Sequence, residues 1–263
     1  MLAAIRDPLI AFWNWRRMIW LGMRQVLNQY SRGSKVFFIL ALIEPLFAIT
    51  LLYVVRGLFR QSTPNYGTSL FLFYASGFLP FYCFLRVSTR TRSVGMGSSV
   101  LPGMSQLDAY IATVALNALI YISMMVLIFF GMWVSGIEQA RPASIETCAI
   151  PVLLLITLGT GVGMINNVIG RYIKFWRLFY AIMTRGLVFM SGVMVVVDLT
   201  PPWFRAWCVF NPLSHAIEWF RLGVYGRYPV NSLDRVYLIE WALVALFLGF
   251  VIDRAAIRVA DQR

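Results

Sequence analysis

The chain has 263 residues, of which 60% are hydrophobic, and its 23 basic and 11 acidic residues give a net charge of +12. A soluble domain of this size cannot bury so much apolar surface, so the composition excludes the soluble globular class and indicates a multi-span membrane protein. The basic residues are almost all arginines at the ends of apolar stretches, where they orient helices and meet anionic headgroups. That placement argues against nucleic-acid binding.

The N-terminal segment, residues 8–32, is predicted to be an amphipathic helix lying in the membrane interface. On a helix, Trp15 and Ile19 share an apolar side, and Arg17 lies on the opposite side. An ordinary surface helix is the alternative, but the sequence provides no soluble core to receive it. The segment lacks an uninterrupted apolar core and a cleavage site, so no signal peptide is expected. The residues expected to meet lipid headgroups are Arg16, Arg17, Arg24, Arg32 and Lys35.

Apolar stretches of the length needed to cross a bilayer recur along the chain. The predicted transmembrane spans are 36–55, 68–85, 109–135, 147–168, 178–197 and 236–252. Glycines at 159, 161 and 163 of the fourth span favour close approach of a neighbouring helix. With both termini cytoplasmic, most basic residues outside the spans fall on the cytoplasmic side, as the positive-inside rule requires.

Residues 201–228, between the last two spans, are rich in tryptophan and include the single histidine and several charged residues, which a simple loop does not need. Prolines open the segment, Asn211-Pro212 interrupts it and Gly226 precedes its end, a pattern that predicts two short helices. We expect a helical hairpin on the periplasmic side that dips back into the membrane. The fold class predicted is therefore an all-α membrane protein with six transmembrane helices, an N-terminal interface helix and a re-entrant periplasmic hairpin.

The hairpin contains two sets of residues with helical spacing. Trp203, Trp207 and Phe210 would share one face of the first helix, and His215 and Glu218 one face of the second. Aromatic residues at this depth most often anchor a protein in the interface, although aromatic faces also stack on sugar rings. The second set has a structural alternative, in which His215, Glu218 and Arg221 only hold the hairpin together.

Two of the charges inside predicted spans carry the most information, because a charged group there costs roughly 2.5–3.5 kcal/mol on insertion scales. Glu44 and Arg185 should therefore face protein, water or substrate. Glu44 precedes Pro45 and is as well explained by a structural ion pair. Arg185 either binds an anionic substrate or extends its side chain to the interface.

No catalytic or metal-binding pattern is found in the sequence. There is a single histidine, no glycine-flanked nucleophilic serine and no phosphate-binding loop, so the chain is not expected to be an enzyme or to hold a cofactor. Cys83, Cys148 and Cys208 share no metal-ligand spacing and are expected to be packing residues with free thiols. Transport driven by ATP would need a separate hydrolytic subunit.

Three motifs in order resemble the permeases of type-2 ABC exporters that carry capsular polysaccharide: IEPL at 43–46, GFLPF at 77–81 and NPLSHAIEWFR at 211–221. The third motif is the specific one. The resemblance covers nearly the whole chain and implies a homodimer with two nucleotide-binding ATPase subunits, which would bind ATP and Mg²⁺. It also implies a coupling helix within residues 86–108 and gate helices within 201–228.

The resemblance implies a lipid-linked acidic polysaccharide as substrate, the bacterial inner membrane as location, and periplasmic co-polymerase-type and outer-membrane export proteins as partners. The substrate path would include Glu44, Arg185, Trp203, Trp207, Phe210, His215, Glu218 and Arg221. The ATPase contact would include Arg90, Arg92, Ser98, Ser99 and Asp108. Alternatives are an exporter of O-antigen, teichoic acid or small molecules with the same architecture, a stand-alone channel or carrier, and a membrane enzyme acting on lipid-linked sugars.

Overall fold

The protein is described by a computed structural model that covers residues 2–31, 37–58, 65–94 and 104–261. Within these ranges the regular structure is helical. The longer helices are α1 (Leu2–Ser31), α2 (Phe37–Leu58), α3 (Leu70–Arg92), α4 (Gln106–Val134), α5 (Ile145–Tyr172), α6 (Trp176–Met190), α7 (Pro202–Val209), α8 (Pro212–Tyr225) and α9 (Arg235–Asp261). An all-α membrane protein is therefore confirmed.

Side-chain caps explain why several helices begin where they do. The hydroxyls of Ser69 and Ser144 accept hydrogen bonds from backbone N–H groups in the first turns of α3 and α5. Ser105 and Asp108 form a reciprocal capping box at the start of α4. These contacts satisfy amide groups that have no partner inside a helix.

Four helices in the described part of the chain are long and apolar enough to cross a membrane: α3, α4, α5 and α9 up to Arg258. Helix α2 occupies most of the predicted first span. Helix α6 occupies the predicted fifth span only in part, because it ends at Met190 and the chain turns at Gly192, whose φ is +68°. Its 15 residues reach about 22 Å, which is less than the roughly 30 Å of a bilayer core.

Helix α5 is central to the bundle and packs against α3, α8 and α9. Its glycines allow this, as the sequence predicts. A Cβ atom at Gly161 would lie 2.3 Å from the backbone carbon of Ala245 on α9, and one at Gly163 would lie 2.7 Å from the carbonyl oxygen of Ser88 on α3. Both neighbouring helices therefore contact α5 through its backbone.

Candidate functional site

The joint between α7 and α8 is held by the first residue of the NPLSHAIEWFR motif. Asn211 caps α8: its side-chain oxygen accepts from the N–H of Leu213 at 3.1 Å, and Pro212 follows at a position where no N–H is needed. The amide nitrogen of Asn211 also donates to the carbonyl of Met190 at 3.2 Å and to the hydroxyl of Ser191 at 3.1 Å. The end of α6 is thereby tied to the start of α8.

Ser214 and His215 bind the last carbonyls of α7, which have no partners within that helix. The Ser214 hydroxyl donates to the carbonyl of Cys208 at 2.5 Å, and His215 Nε2 lies 2.9 Å from the carbonyl of Val209. His215 Nδ1 accepts from the N–H of Asp234 at 3.1 Å, which assigns the proton to Nε2. Burial favours this neutral form and lowers the pKa of His215.

Arg221 is fully buried and holds the non-helical chain that follows α6. Its guanidinium donates to the carbonyls of Val193 at 2.6 Å and Gly192 at 2.7 Å, and it lies 3.9 Å from the centre of the Phe73 ring. Buried backbone groups outside a helix need hydrogen-bond partners from elsewhere in the protein. Arg221 supplies hydrogen-bond donors for the carbonyls of the segment that follows α6.

Glu218 differs from its neighbours in the motif because its carboxyl group has no hydrogen-bond partner in the described structure. The residue is 1% exposed, and both side-chain oxygens are buried. Loss of hydration, reinforced by the nearby negative charge of Asp198, raises the pKa of Glu218 to about 8, although Arg221 and Arg205 oppose the shift. Glu218 is therefore largely protonated at neutral pH.

The aromatic residues of the hairpin lie apart from these buried polar groups. Trp203, Trp207 and Phe210 are 67%, 60% and 75% exposed, so they share an outward-facing surface. His215, Glu218 and Arg221 are instead buried among α3, α5 and α9, which pack around α8. The structure therefore separates two groups that the sequence places in one predicted substrate path.

The charges inside the predicted spans have different environments. Glu44 on α2 forms an ion pair with Arg86 on α3, which matches the structural alternative for that carboxylate. Arg185 lies on the exposed side of α6, between Ile182 and Phe189, which are each 59% exposed. The Glu44 side chain is still 41% exposed, so the two residues differ in pairing and not in access.

Known proteins align with most of this sequence. It is 26% identical over 240 residues to a polysialic acid transport protein, KpsM, of Escherichia coli, an alignment that covers 89% of this chain and 91% of that protein. It is 24% identical over 236 residues to the capsule polysaccharide export inner-membrane protein CtrC of Neisseria meningitidis serogroup B, covering 87% and 86%. These similarities support the capsular polysaccharide export permease family for this chain. No protein-family model matches it.

The segment that the permease resemblance assigns to ATPase coupling is described only at its ends. Arg90 and Arg92 lie in the last turn of α3, and the Arg92 guanidinium lies 5.6 Å from the centre of the Tyr180 ring on α6. Asp108 caps α4 and accepts from the indole N–H of Trp15 on α1 at 3.0 Å, so it joins the N-terminal helix to the start of α4. Ser98 and Ser99 lie outside the described residues.

The N-terminal helix of the chain presents basic side chains to its surroundings. Arg16, Arg17 and Arg24 are exposed, and Arg16 lies 4.8 Å from the centre of the exposed Trp13 ring. Tryptophan beside arginine is the composition of a membrane interface. Arg32 and Lys35 lie outside the described residues.

A buried polar cluster near the coupling segment was missed by the sequence analysis. Asp253 is 1% exposed and accepts from the Tyr110 hydroxyl at 2.8 Å and from the Gln106 amide at 3.0 Å. Asn167 donates to the same hydroxyl at 2.6 Å and to the carbonyl of Val94 at 2.9 Å. The cluster connects α4, α5 and α9 beside the two ends of the coupling segment. The sequence contained one indication of this cluster, because the carboxylate of Asp253 comes directly after the last predicted span.

The described residues contain no group of three metal-ligating side chains. Cys83, Cys148 and Cys208 are buried free thiols, as the sequence predicts.

Proposed function

We propose that this chain is the transmembrane subunit of an ATP-driven exporter that moves lipid-linked acidic polysaccharide across the bacterial inner membrane. The observation that carries the proposal is its similarity, over almost nine-tenths of its length, to a polysialic acid transport protein and to inner-membrane proteins named for capsule polysaccharide export. One of these relatives is named for polysialic acid, an acidic polymer. The four apolar helices support a membrane location.

The proposed subunit has six membrane crossings, with α2 and α6 as the two beyond the four long apolar helices. Both termini lie in the cytoplasm, and the 201–228 hairpin lies at the periplasmic end. Support for this orientation comes from the basic side chains on α1 and from the exposed Arg254 and Arg258 near the end of α9. Two copies form a homodimer around an axial pore, with two ATPase subunits on the cytoplasmic side.

In the transport cycle we propose, ATP-driven closure of the partner subunits acts on residues 86–108 through Arg90, Arg92, Ser98, Ser99 and Asp108. ATP and Mg²⁺ are held by the partners. Arg185 and the exposed aromatics of α7 contact the polymer, whereas the buried groups of α8 fix the position of the hairpin. Periplasmic co-polymerase-type and outer-membrane proteins receive the product.

The proposal is tested by purifying the tagged chain from cells that express its neighbouring genes. We expect a nucleotide-binding subunit to co-purify, and ATP hydrolysis to be measurable for the complex but not for the chain alone. The expectation follows from the absence of a phosphate-binding loop in this sequence. Robust hydrolysis by the isolated chain, or an unchanged surface capsule in a deletion strain, would contradict the proposal.

A further inference from the structure

A cleft of about 580 Å³ opens at one end of the bundle. At this end the chain enters α3, leaves α4 and leaves α8. Its lining residues are Tyr66, Gly67, Gln139, Tyr225, Gly226 and Arg227. The volume falls within the range of about 300–1,000 Å³ that small-molecule sites occupy. None of these residues is among those named above for the substrate path, although Tyr225, Gly226 and Arg227 belong to the 201–228 segment.

The aromatic wall of the cleft is a set of mutually packed tyrosine rings. The Tyr66 ring meets the rings of Tyr225 and Tyr228 edge-on, with centroids 5.2 Å and 5.0 Å away, and Tyr225 stacks on Tyr228 at 6.1 Å. The Tyr66 hydroxyl donates to the carbonyl of Arg227, which fixes the loop after α8 to the loop before α3. The rings of Tyr66 and Tyr225 therefore line the cleft, and the buried Tyr228 ring packs behind them.

Backbone turns keep this surface open. Gly67 and Gly226 have φ values of +76° and +70°, which a side chain disfavours. A Cβ atom at Gly67 would lie 2.7 Å from the Tyr225 ring and 2.8 Å from the Gln139 side-chain oxygen. Any larger residue at Gly67 would thus displace the ring or the amide.

The polar groups of the cleft have defined directions. The Gln139 side-chain oxygen accepts from the N–H and hydroxyl of Thr68 at 2.9 Å and 3.0 Å. Its amide nitrogen is left to donate, and it has no acceptor within the described residues. Arg227 is exposed, and its guanidinium has no carboxylate partner among the described residues. The amide can donate to a hydroxyl of an acidic sugar, and the guanidinium can pair with its carboxylate. The aromatic rings can contact the apolar face of the sugar.

We infer that this cleft binds a single acidic sugar unit of the polymer after it has crossed the bundle. The inference rests on the proposed function, which supplies the polymer and places these turns on the periplasmic side. Tyr66 and Tyr225 contact the sugar ring, the Gln139 amide donates to a hydroxyl, and Arg227 pairs with the carboxylate. A site here would hold the emerging chain against backward sliding.

The test uses the purified full-length protein in lipid nanodiscs. Trigalacturonic acid is the probe, and its methyl ester is the uncharged control ligand. Saturation-transfer NMR reports binding of each probe. We expect the acid to bind more tightly than the ester, and Arg227→Gln to weaken binding of the acid about tenfold, because a charge-assisted pair is lost. Tyr66→Ala should weaken both probes, since the ring contacts the sugar itself.

Arg141→Gln is the matched control, because Arg141 is also exposed near this end of the bundle but does not line the cleft. It should bind as the wild type does. Equal binding of acid and ester, no binding by the wild type, or no effect of Arg227→Gln would overturn the inference. These results would leave the proposed function intact, because that function is judged separately by the capsule of the deletion strain and by co-purification of the ATPase.

Discussion

The buried carboxyl of Glu218 makes the stability of the hairpin depend on pH. Its pKa is raised from 4.5 to about 8, so between these values the folded chain keeps a proton that the unfolded chain has released. The free energy of unfolding therefore falls as the pH rises through this window, and the loss is complete above it. His215 has the opposite effect, since its lowered pKa makes stability fall as the pH drops below its ordinary value of 6.5.

Glu218→Gln preserves the shape of the side chain and removes the ionisable group. We expect the variant to unfold at a higher temperature than the wild type at pH 9, by at least about 5 °C, and the difference to shrink towards pH 5.5. Thermal unfolding of the purified protein between these pH values measures the effect. Glu138→Gln, which changes an exposed acid, serves as the control. A difference that stays constant with pH would show that the Glu218 carboxyl does not titrate in this window.

Arg185 is the charged residue of the predicted path that remains available on the surface of α6. If it contacts an anionic polymer, Arg185→Ala should lower export about tenfold, which corresponds to the loss of one charge-assisted contact. Surface capsule, normalised to the amount of assembled protein in the membrane, provides the measurement. Arg177→Ala, at an exposed position in the first turns of the same helix, is the control. Unaltered export by Arg185→Ala would assign that residue to lipid contact.

At the scale of helices, α7 and α8 have different tasks although they adjoin in sequence. Helix α7 is an eight-residue element whose aromatic side chains point outwards, whereas α8 is enclosed by α3, α5 and α9. The burial of α8 explains why polar residues of the motif bind carbonyls of neighbouring segments. Among the described residues, Trp203 has a ring contact with Phe204 of the same helix. We therefore assign positioning to α8 and contact with polymer or lipid to α7.

Replacing Trp203 and Trp207 together with Ala separates the two roles of α7. Contact with the polymer predicts reduced export with normal insertion, because both indoles are exposed and the core is untouched. Anchoring in lipid predicts a reduced yield of inserted protein instead. Capsule assays and membrane yield are compared with those of Trp133→Ala, which removes a 47% exposed tryptophan from α4. Normal export together with normal yield would exclude both roles.

The all-α membrane class was predicted from local signals, and side-chain environments were not. Apolar length and the proline and glycine positions are properties of the local sequence, so the apolar spans and the break at Asn211 were evident. Whether Arg221 faces a pore or a loop depends on where residues 192–195 pass, and that is set by packing between distant segments. The ion pair of Glu44 with Arg86 and the cluster around Asp253 likewise join residues far apart in the chain.

At the scale of the whole molecule, α9 links the hairpin to the buried polar cluster. Near its first turn the backbone N–H of Asp234 donates to His215 of α8, and near its last turns Asp253 accepts from Tyr110 of α4. The 27 residues of α9 extend about 40 Å, and α5 contacts the helix through Gly161 and Gly249. If residues 86–108 couple to an ATPase as proposed, a displacement at the start of α4 has a path of direct contacts to α8 through this one helix.

Asp253→Ala tests this connection. The substitution removes the acceptor shared by Tyr110 and Gln106, and it leaves both hairpin helices unchanged in sequence. We expect polysaccharide export to fall about tenfold while the purified complex keeps its ATP hydrolysis, because the energetic coupling between distant sites is typically worth a factor of this size. Glu240→Ala, which changes an exposed acid on the same helix, should behave as the wild type does. If export and hydrolysis fall together, Asp253 supports assembly of the complex, and α9 does not transmit the motion through it.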